Sequence, residues 1–305
     1  MSVQSLLSYA LTVPDLAPGQ RFYTAFGLIG EERDNTLAFR CDGRDQDQVH
    51  LIEGKRKQLN HLRFGTDSAG LKAIRARMAE RHINAIDAPN PAFGEGLWLR
   101  DPDGNAVNVR IATPKPTRTA APMVLNTPGH YARIGLPGHP DRKKQVRPYR
   151  LGHVLLFTPK LDQMLSFYGD ILGMRLSDRS GPVIAFMHLP TGGDHHVVAL
   201  LSDANPGFHH ASFEVGSIDE IGMGAARLQD AGYRDGWGFG RHVIGSNFFH
   251  YMRDPWNSLA EYFCDIDQIP ADGSWRPTDY PPEDSLYVWG PKVPEDFGKN
   301  FEPLG

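Results

Sequence analysis

Two stretches of this chain, 145 residues apart, carry one pattern, and a chain assembled from copies has to fold as copies. SYALTVPDLAPGQRFY begins at Ser8 and HVLLFTPKLDQMLSFY begins at His153. Between them Pro14 matches Pro159, Leu16 matches Leu161, and Phe22-Tyr23 matches Phe167-Tyr168. A second correspondence sets NHLRFGTDS from Asn60 against HHASFEVGS from His209, at an offset of 149. A third sets LRDPDGNAVNV from Leu99 against MRDPWNSLAEY from Met252, at 153. The steady growth of the offset is what small loop insertions in the later copy produce.

Each half divides again. In the second half, GHVLLFTP and HHASFEVG each open a strand, followed by the helices LDQMLSFYGDIL and SIDEIGMGAARLQDAG. Short alternating or β-branched runs follow (PVIAFMHL, HHVVALL, NFFHYMR, LAEYF), separated by Gly, Pro, Asn and Asp. The first half repeats this, with LKAIRARMAERH as its second helix. The pattern predicts an α+β fold: four βαβββ modules paired into two domains, each a curled mixed sheet enclosing a cup. The domains are expected at 1–112 and 148–266. Residues 113–147, rich in Pro and basic side chains, read as a linker. The tail, 267–305, holds Trp275, Tyr280, Tyr287, Trp289, Phe297 and Phe301 among prolines. So aromatic a tail is expected to pack on the body, on a neighbouring subunit, or over the mouth of a site.

Composition narrows the function classes. Thirty-two basic against 36 acidic residues leave a net charge of −4, with no basic footprint for nucleic acid or for a membrane surface. Two cysteines, Cys41 and Cys264, supply neither a disulfide framework nor a Cys-rich zinc site. No basic residue precedes Arg21, as a signal peptide would require, and no apolar run reaches the ~18 residues of a membrane span. A cytoplasmic protein is expected, in which histidine carries any metal or acid–base chemistry.

The copies differ where chemistry would sit. At repeat-equivalent positions the first half has Ser8, His61 and Asn108, and the second has His153, His210 and Glu261. Two imidazoles and a carboxylate make the facial set that binds non-haem Fe(II) and leaves positions open. Ser8 and Asn108 do not replace the missing ligands, so the first domain is expected to hold no metal. A lone strand histidine is ordinarily a hydrogen-bonded core residue. The His-His pairs at 195–196 and 209–210 stand against about 0.5 expected by chance. Glu261 inside the apolar run LAEYF is harder to dismiss, because a buried carboxylate is costly unless paired or metal-bound.

The segment HVIGSNFFHYMRDPWNSLAE, His242 to Glu261, resembles the C-terminal signature of the type I extradiol ring-cleaving dioxygenases, members of the vicinal-oxygen-chelate superfamily. His242, Tyr251, Asp254, Pro255 and Glu261 fit its pattern. His250 stands where an apolar residue is expected, and Asn257 where Gly or Pro is. The likeness covers residues 6–266. It implies ring opening of a catechol by O2 at Fe(II), with Mn(II) the alternative ion, and His153, His210 and Glu261 as ligands. It also implies that His242 and Tyr251 hydrogen-bond the substrate hydroxyls, and that a histidine serves as acid–base residue. The family's H-x-x-A pattern, read back from Ala199, points to His196; its customary spacing before His210 points to His195. Successive strand residues face opposite sides, so one of them serves, and His196 is preferred. His195, His188, Phe186 (otherwise core) and Asn247 are expected to line the substrate pocket. A homo-oligomer is expected. Two other readings stay open: another metalloenzyme of the superfamily, such as a hydroquinone-type ring cleaver or glyoxalase-like isomerase, and a non-enzymatic protein that binds an aromatic ligand.

Overall fold

The computed structural model describes residues 2–33 and 36–302. The first module comprises β1 (Ser5–Val13), α1 (Leu16–Ala25), β2 (Ile29–Arg33), β3 (Thr36–Arg40) and β4 (Val49–Glu53). The second comprises β5 (Gln58–Thr66), α2 (Ser68–Glu80), β6 (Leu97–Arg100) and β7 (Ala106–Ile111). The third runs through β8 (Arg150–Thr158), α3 (Leu161–Ser166), β9 (Arg175–Ser180), β10 (Ile184–His188), β11 (Gly193–Asp194) and β12 (Val198–Ser202). The fourth holds β13 (Gly207–Glu214), α4 (Ile218–Asp230), β14 (Gly236–His242), β15 (Phe248–Arg253) and β16 (Leu259–Cys264), and the tail adds β17 (Gln268–Ile269) and β18 (Tyr287–Trp289).

These strands make two large mixed sheets, β2-β3-β4-β1-β5-β7-β6 and β18-β14-β15-β16-β13-β8-β12-β10-β9. In each, the opening strands of the two modules pair antiparallel at the centre. Each opening strand also runs parallel to the closing strand of its own module. This is the expected two-domain vicinal-oxygen-chelate architecture. The second module departs in one detail, contributing two strands after its helix to the large sheet where the others contribute three (β11 of the third pairs apart with β17). Residues 83–96 run irregularly there, because Pro89 and Pro91 have no ladder N–H to give. The run LDQMLSFYGDIL also departs from a uniform helix: α3 passes into a π-helical turn, Phe167–Ile171, that buries Phe167, Tyr168 and Ile171. Both copies then stop at a glycine in the left-handed region, Gly27 (φ 100°) and Gly173 (φ 81°).

The repeat holds at the level of register. Ser8 pairs with Arg63, which pairs with Asn108; His153 pairs with Ser212, which pairs with Glu261. Even the β-bulges are duplicated. Leu7 and Gly152 are the extra residues of one pair of bulges, Asn60 and His209 of the other. Gly152 is needed where it stands, since a Cβ there would lie 2.4 Å from the ring of Phe263. The two halves share one core, in which Phe26 stacks on Tyr262 with centroids 4.0 Å apart. The Tyr262 hydroxyl donates to the Phe26 carbonyl at 2.7 Å.

Candidate metal and substrate site

His153, His210 and Glu261 come from three adjacent strands, β8, β13 and β16, and all three are buried. One ligand atom from each lies within 4.8 Å of the others. The Nε2 atoms of His153 and His210 stand 3.2 and 3.7 Å from Glu261 Oε2. Donor atoms on neighbouring corners of a six-coordinate ion with bonds of 2.0–2.2 Å sit about 3 Å apart, so these residues fit a divalent metal. Ser212 Oγ donates to Glu261 Oε2, and Asn247 Nδ2 donates to Oε1 at 3.3 Å. The carboxylate is thereby oriented from both sides.

The bulge at His209 places the second candidate ligand, His210. In a regular strand His209 and His210 would face opposite ways; the extra residue lets both reach the cup. His209 Nε2 lies 2.7 Å from the Phe297 carbonyl, which only accepts, so that nitrogen carries the proton. Burial pushes the His209 pKa down to about 4, so the ring is neutral and its Nδ1 is bare. Nδ1 of His210, 2.6 Å away, must then donate, which leaves the His210 Nε2 lone pair aimed at Glu261. That Nε2 is buried and has no hydrogen-bond partner among the described residues. His153 lacks such a prop: its Nδ1 is buried without a partner among the described residues.

A cavity of about 300 Å³ opens above the three ligands. Phe186, Leu155 and Ile244 give it apolar walls, and the tail closes it with Leu286, Val293 and Phe297. Tyr251 lies directly across from Glu261 in the β15–β16 ladder. His242 Nδ1 donates to the Leu286 carbonyl at 2.7 Å, so its Nε2 accepts from the Tyr251 hydroxyl at 2.9 Å. Burial, then the charge of Glu261, holds the Tyr251 phenol proton on well above its usual range. His196 lines the cavity with its ring 4.2 Å from that of His153. Burial, reinforced by the neighbouring His153, pushes its pKa well below the ordinary histidine value.

Of the expected pocket residues, Phe186 and Asn247 line the cavity and His195 and His188 do not. His195 is wholly buried behind the wall, with Nε2 2.7 Å from Asp178 Oδ2. His195 and His196 both precede β12 in a bent segment. Ala199 and Leu201 face the cavity from the strand itself, so unbroken alternation would bring His195 inward, and the bends at 195 and 197 bring His196 there instead. His188, at the end of β10, is held by Ser177, the extra residue of a bulge in β9, with Nδ1 2.9 Å from Ser177 Oγ.

Residues 150–262 match the Glyoxalase/Bleomycin resistance protein/Dioxygenase superfamily. Metapyrocatechase 2 of Cupriavidus necator is 44% identical across 99% of this chain and 93% of its own length. The chain belongs to the extradiol ring-cleaving dioxygenases. A more distant extradiol relative, the iron-dependent extradiol dioxygenase of Rhodococcus jostii (strain RHA1), is 28% identical over 99% of this chain and 100% of its own. A solved halotolerant catechol dioxygenase shares the fold, with a TM-score of 0.74 at 22% identity, over 95% of this chain and 94% of that one.

The site of this extradiol dioxygenase includes groups that sequence reasoning missed: His209, Ser212, Asp178, and the Leu286 and Phe297 carbonyls. Ser212 was in reach, since it lies two residues past His210 on the same strand face. The two carbonyls carry no side-chain signal at all.

Proposed function

We propose that this extradiol dioxygenase opens a catechol ring beside its two hydroxyls with O2, at Fe(II) held by His153, His210 and Glu261, with Mn(II) as the alternative ion. The observation that carries this reading is the convergence of two imidazole nitrogens and one carboxylate oxygen beside a cavity whose walls are mostly apolar, with His196, His242 and Tyr251 among its few polar groups. The bound metal would supply open positions for the diol and for O2. Two neutral imidazoles and one carboxylate leave a divalent ion with net charge +1, which a singly deprotonated diol neutralises, as a desolvated pocket requires. Tyr251, which stays protonated, donates its hydroxyl to the deprotonated diol oxygen and holds it in place, while His242 Nε2, a bare acceptor, takes a hydrogen bond from the remaining diol hydroxyl. His196 takes a hydroxyl proton at its cavity-facing nitrogen and returns it to the departing oxygen. Phe186, Leu155 and Ile244 exclude water.

The lining residues include no Lys or Arg among those described. This supports catechol or its alkyl- and aryl-substituted forms over carboxylated ones, whose charge would go unpaired. The test is oxygen uptake by anaerobically iron-loaded protein across a panel of unsubstituted, alkyl, aryl and carboxylated catechols. Uptake is expected with the first three and not with His153→Ala or Glu261→Gln. Equal uptake by these variants, or none by the parent with any catechol, overturns the assignment.

We also propose a homo-oligomer working in the cytoplasm, with a first domain at 1–112 that holds no metal, a linker at 113–147, a catalytic domain at 148–266 and a tail at 267–305. Exposed apolar side chains on the linker (Ile134, 84% exposed; Leu136, 69%) and on β18 (Val288, 64%) support self-association. Both cysteines are free and buried, and no described helix is long and apolar enough to cross a membrane.

A further inference from the structure

We infer that Asp178 and His195, neither of which lines the cavity, are positioning residues that fix the tautomer of His196 and leave its Nε2 bare toward the substrate. The inference rests on the proposed acid–base role of His196. Asp178 is buried, and its only ion-pair partner among the described residues is His195. An ionised carboxylate only accepts, so His195 Nε2, 2.7 Å from Oδ2, carries its ring's proton. In a ring carrying that one proton, Nδ1 is bare. It lies 3.1 Å from His196 Nδ1, which must donate. The single proton of neutral His196 is thereby placed on Nδ1, and Nε2, without a partner among the described residues, is left to accept from a substrate hydroxyl.

The same chain serves the protonated stage. When His196 takes a proton at Nε2, its Nδ1–H still points to His195, and the Asp178 charge, relayed by that ring, stabilises the imidazolium. No atom passes between Asp178 and His195. The logic is that of the carboxylate behind a catalytic histidine, extended by one imidazole.

The tail closes this arrangement from behind. Thr278 N donates to Asp178 Oδ1 at 2.6 Å. Trp275 meets the His195 ring edge-on at 5.5 Å and donates its indole N–H to the Ser177 carbonyl at 2.8 Å. Water is kept from the chain, and hydrogen bonds in such surroundings hold their direction.

Asp178→Asn tests it. The amide keeps Oδ1 for the Thr278 N–H and places an NH2 where Oδ2 stood. It then donates to His195 Nε2, so the proton moves to His195 Nδ1 and the whole chain reverses, leaving His196 with a proton on Nε2. Iron content and thermal midpoint should stay near those of the parent, while kcat falls about 10–100-fold with KM for catechol within about twofold. His195→Phe, which keeps a ring against Trp275, is expected to lower kcat in the same way. Neutron diffraction from deuterium-exchanged, iron-loaded crystals gives a readout independent of turnover. Deuterium is expected on His196 Nδ1 in the parent and on Nε2 in Asp178→Asn. Deuterium on Nε2 in the parent, or a kcat for Asp178→Asn equal to the parent's, overturns the inference. A parent inactive on every catechol but with deuterium on Nδ1 would instead remove the ring-cleavage reading and leave the proton placement standing.

Discussion

Replacing His209 with Phe separates metal binding from folding at this site. The Phe ring fills the same space between Phe157 and Phe297, each 5.1 Å from the His209 ring, but accepts nothing from His210 Nδ1. His210 then has no prop to hold its Nε2 toward Glu261. Losing such an orienting partner costs about 10–100-fold in metal affinity, or about 1.4–2.7 kcal/mol. The metal binds only the folded chain, so the same energy disappears from the stabilisation that iron confers. At roughly 2–4 °C per kcal/mol, the rise in thermal midpoint on adding Fe(II) should shrink by roughly 3–11 °C. The metal-free variant also loses stability, because the Phe297 carbonyl and the His210 N–H are left unpaired, at about 1–3 kcal/mol each. The diagnostic quantity is therefore the difference between scans with and without Fe(II), run anaerobically beside a chelator competition. His50→Phe, in the first half, should leave that difference unchanged. A His209→Phe protein whose iron-induced gain equals the parent's would refute the argument that His209 holds a ligand.

Two further outcomes follow from burial. Tyr262→Phe strands the Phe26 carbonyl, so urea unfolding should show a loss of about 1–3 kcal/mol, with oxygen uptake by the folded enzyme unchanged. His50 titrates at about 3, lowered first by burial and then by Arg63. The folded chain thus keeps it neutral while the unfolded chain binds a proton below about 6.5, and stability falls as pH drops through that value. His50→Phe should lose about 2 kcal/mol less than the parent between pH 7 and 5 in urea titrations; identical pH losses would remove His50 from the account.

The three candidate ligand positions were legible because the copies kept their register. His153, His210 and Glu261 stand out only against Ser8, His61 and Asn108, and that comparison is meaningful only if the same residues face each other across the strands, as they do. The facing of Tyr251 and Glu261 was out of reach, since it depends on the turn between β15 and β16. Asp254 fixes that turn by accepting from the Trp256 and Ser258 N–H groups. Frequency sets the two His-His pairs against about 0.5 expected by chance, and frequency is blind to bulges. A bulge is a relation between two strands, so nothing within GFHHASFE tells that His209 turns toward the cup. His188 was misplaced for the same reason: Ser177, which holds it, is the extra residue of a bulge in β9.

Why one cup is open and the other filled comes down to the strand that the second module lacks. The row Trp98–Asn108–Arg63–Ser8 crosses the first sheet where Tyr251–Glu261–Ser212–His153 crosses the second. In the first half the irregular run 83–96 drops Phe93 into the cup, where its ring meets His50 and His61 at 5.0 and 4.9 Å and lies 5.1 Å below the Arg63 guanidinium. Filling the space this way stabilises the half by about 1.5–3 kcal/mol for the one side chain. In the second half β14 occupies that place instead. It extends the sheet outward, pairs with β18, and lets the tail arch over a space that stays empty. An open cup lined by buried imidazoles and a carboxylate is unfavourable by itself, since each polar group is desolvated without full compensation. A filled neighbour sharing the same core, joined through Phe26 and Tyr262, offsets that cost. A bound metal offsets the rest. Duplication thus lets one copy hold the molecule together while the other keeps the vacancy that oxygen chemistry needs.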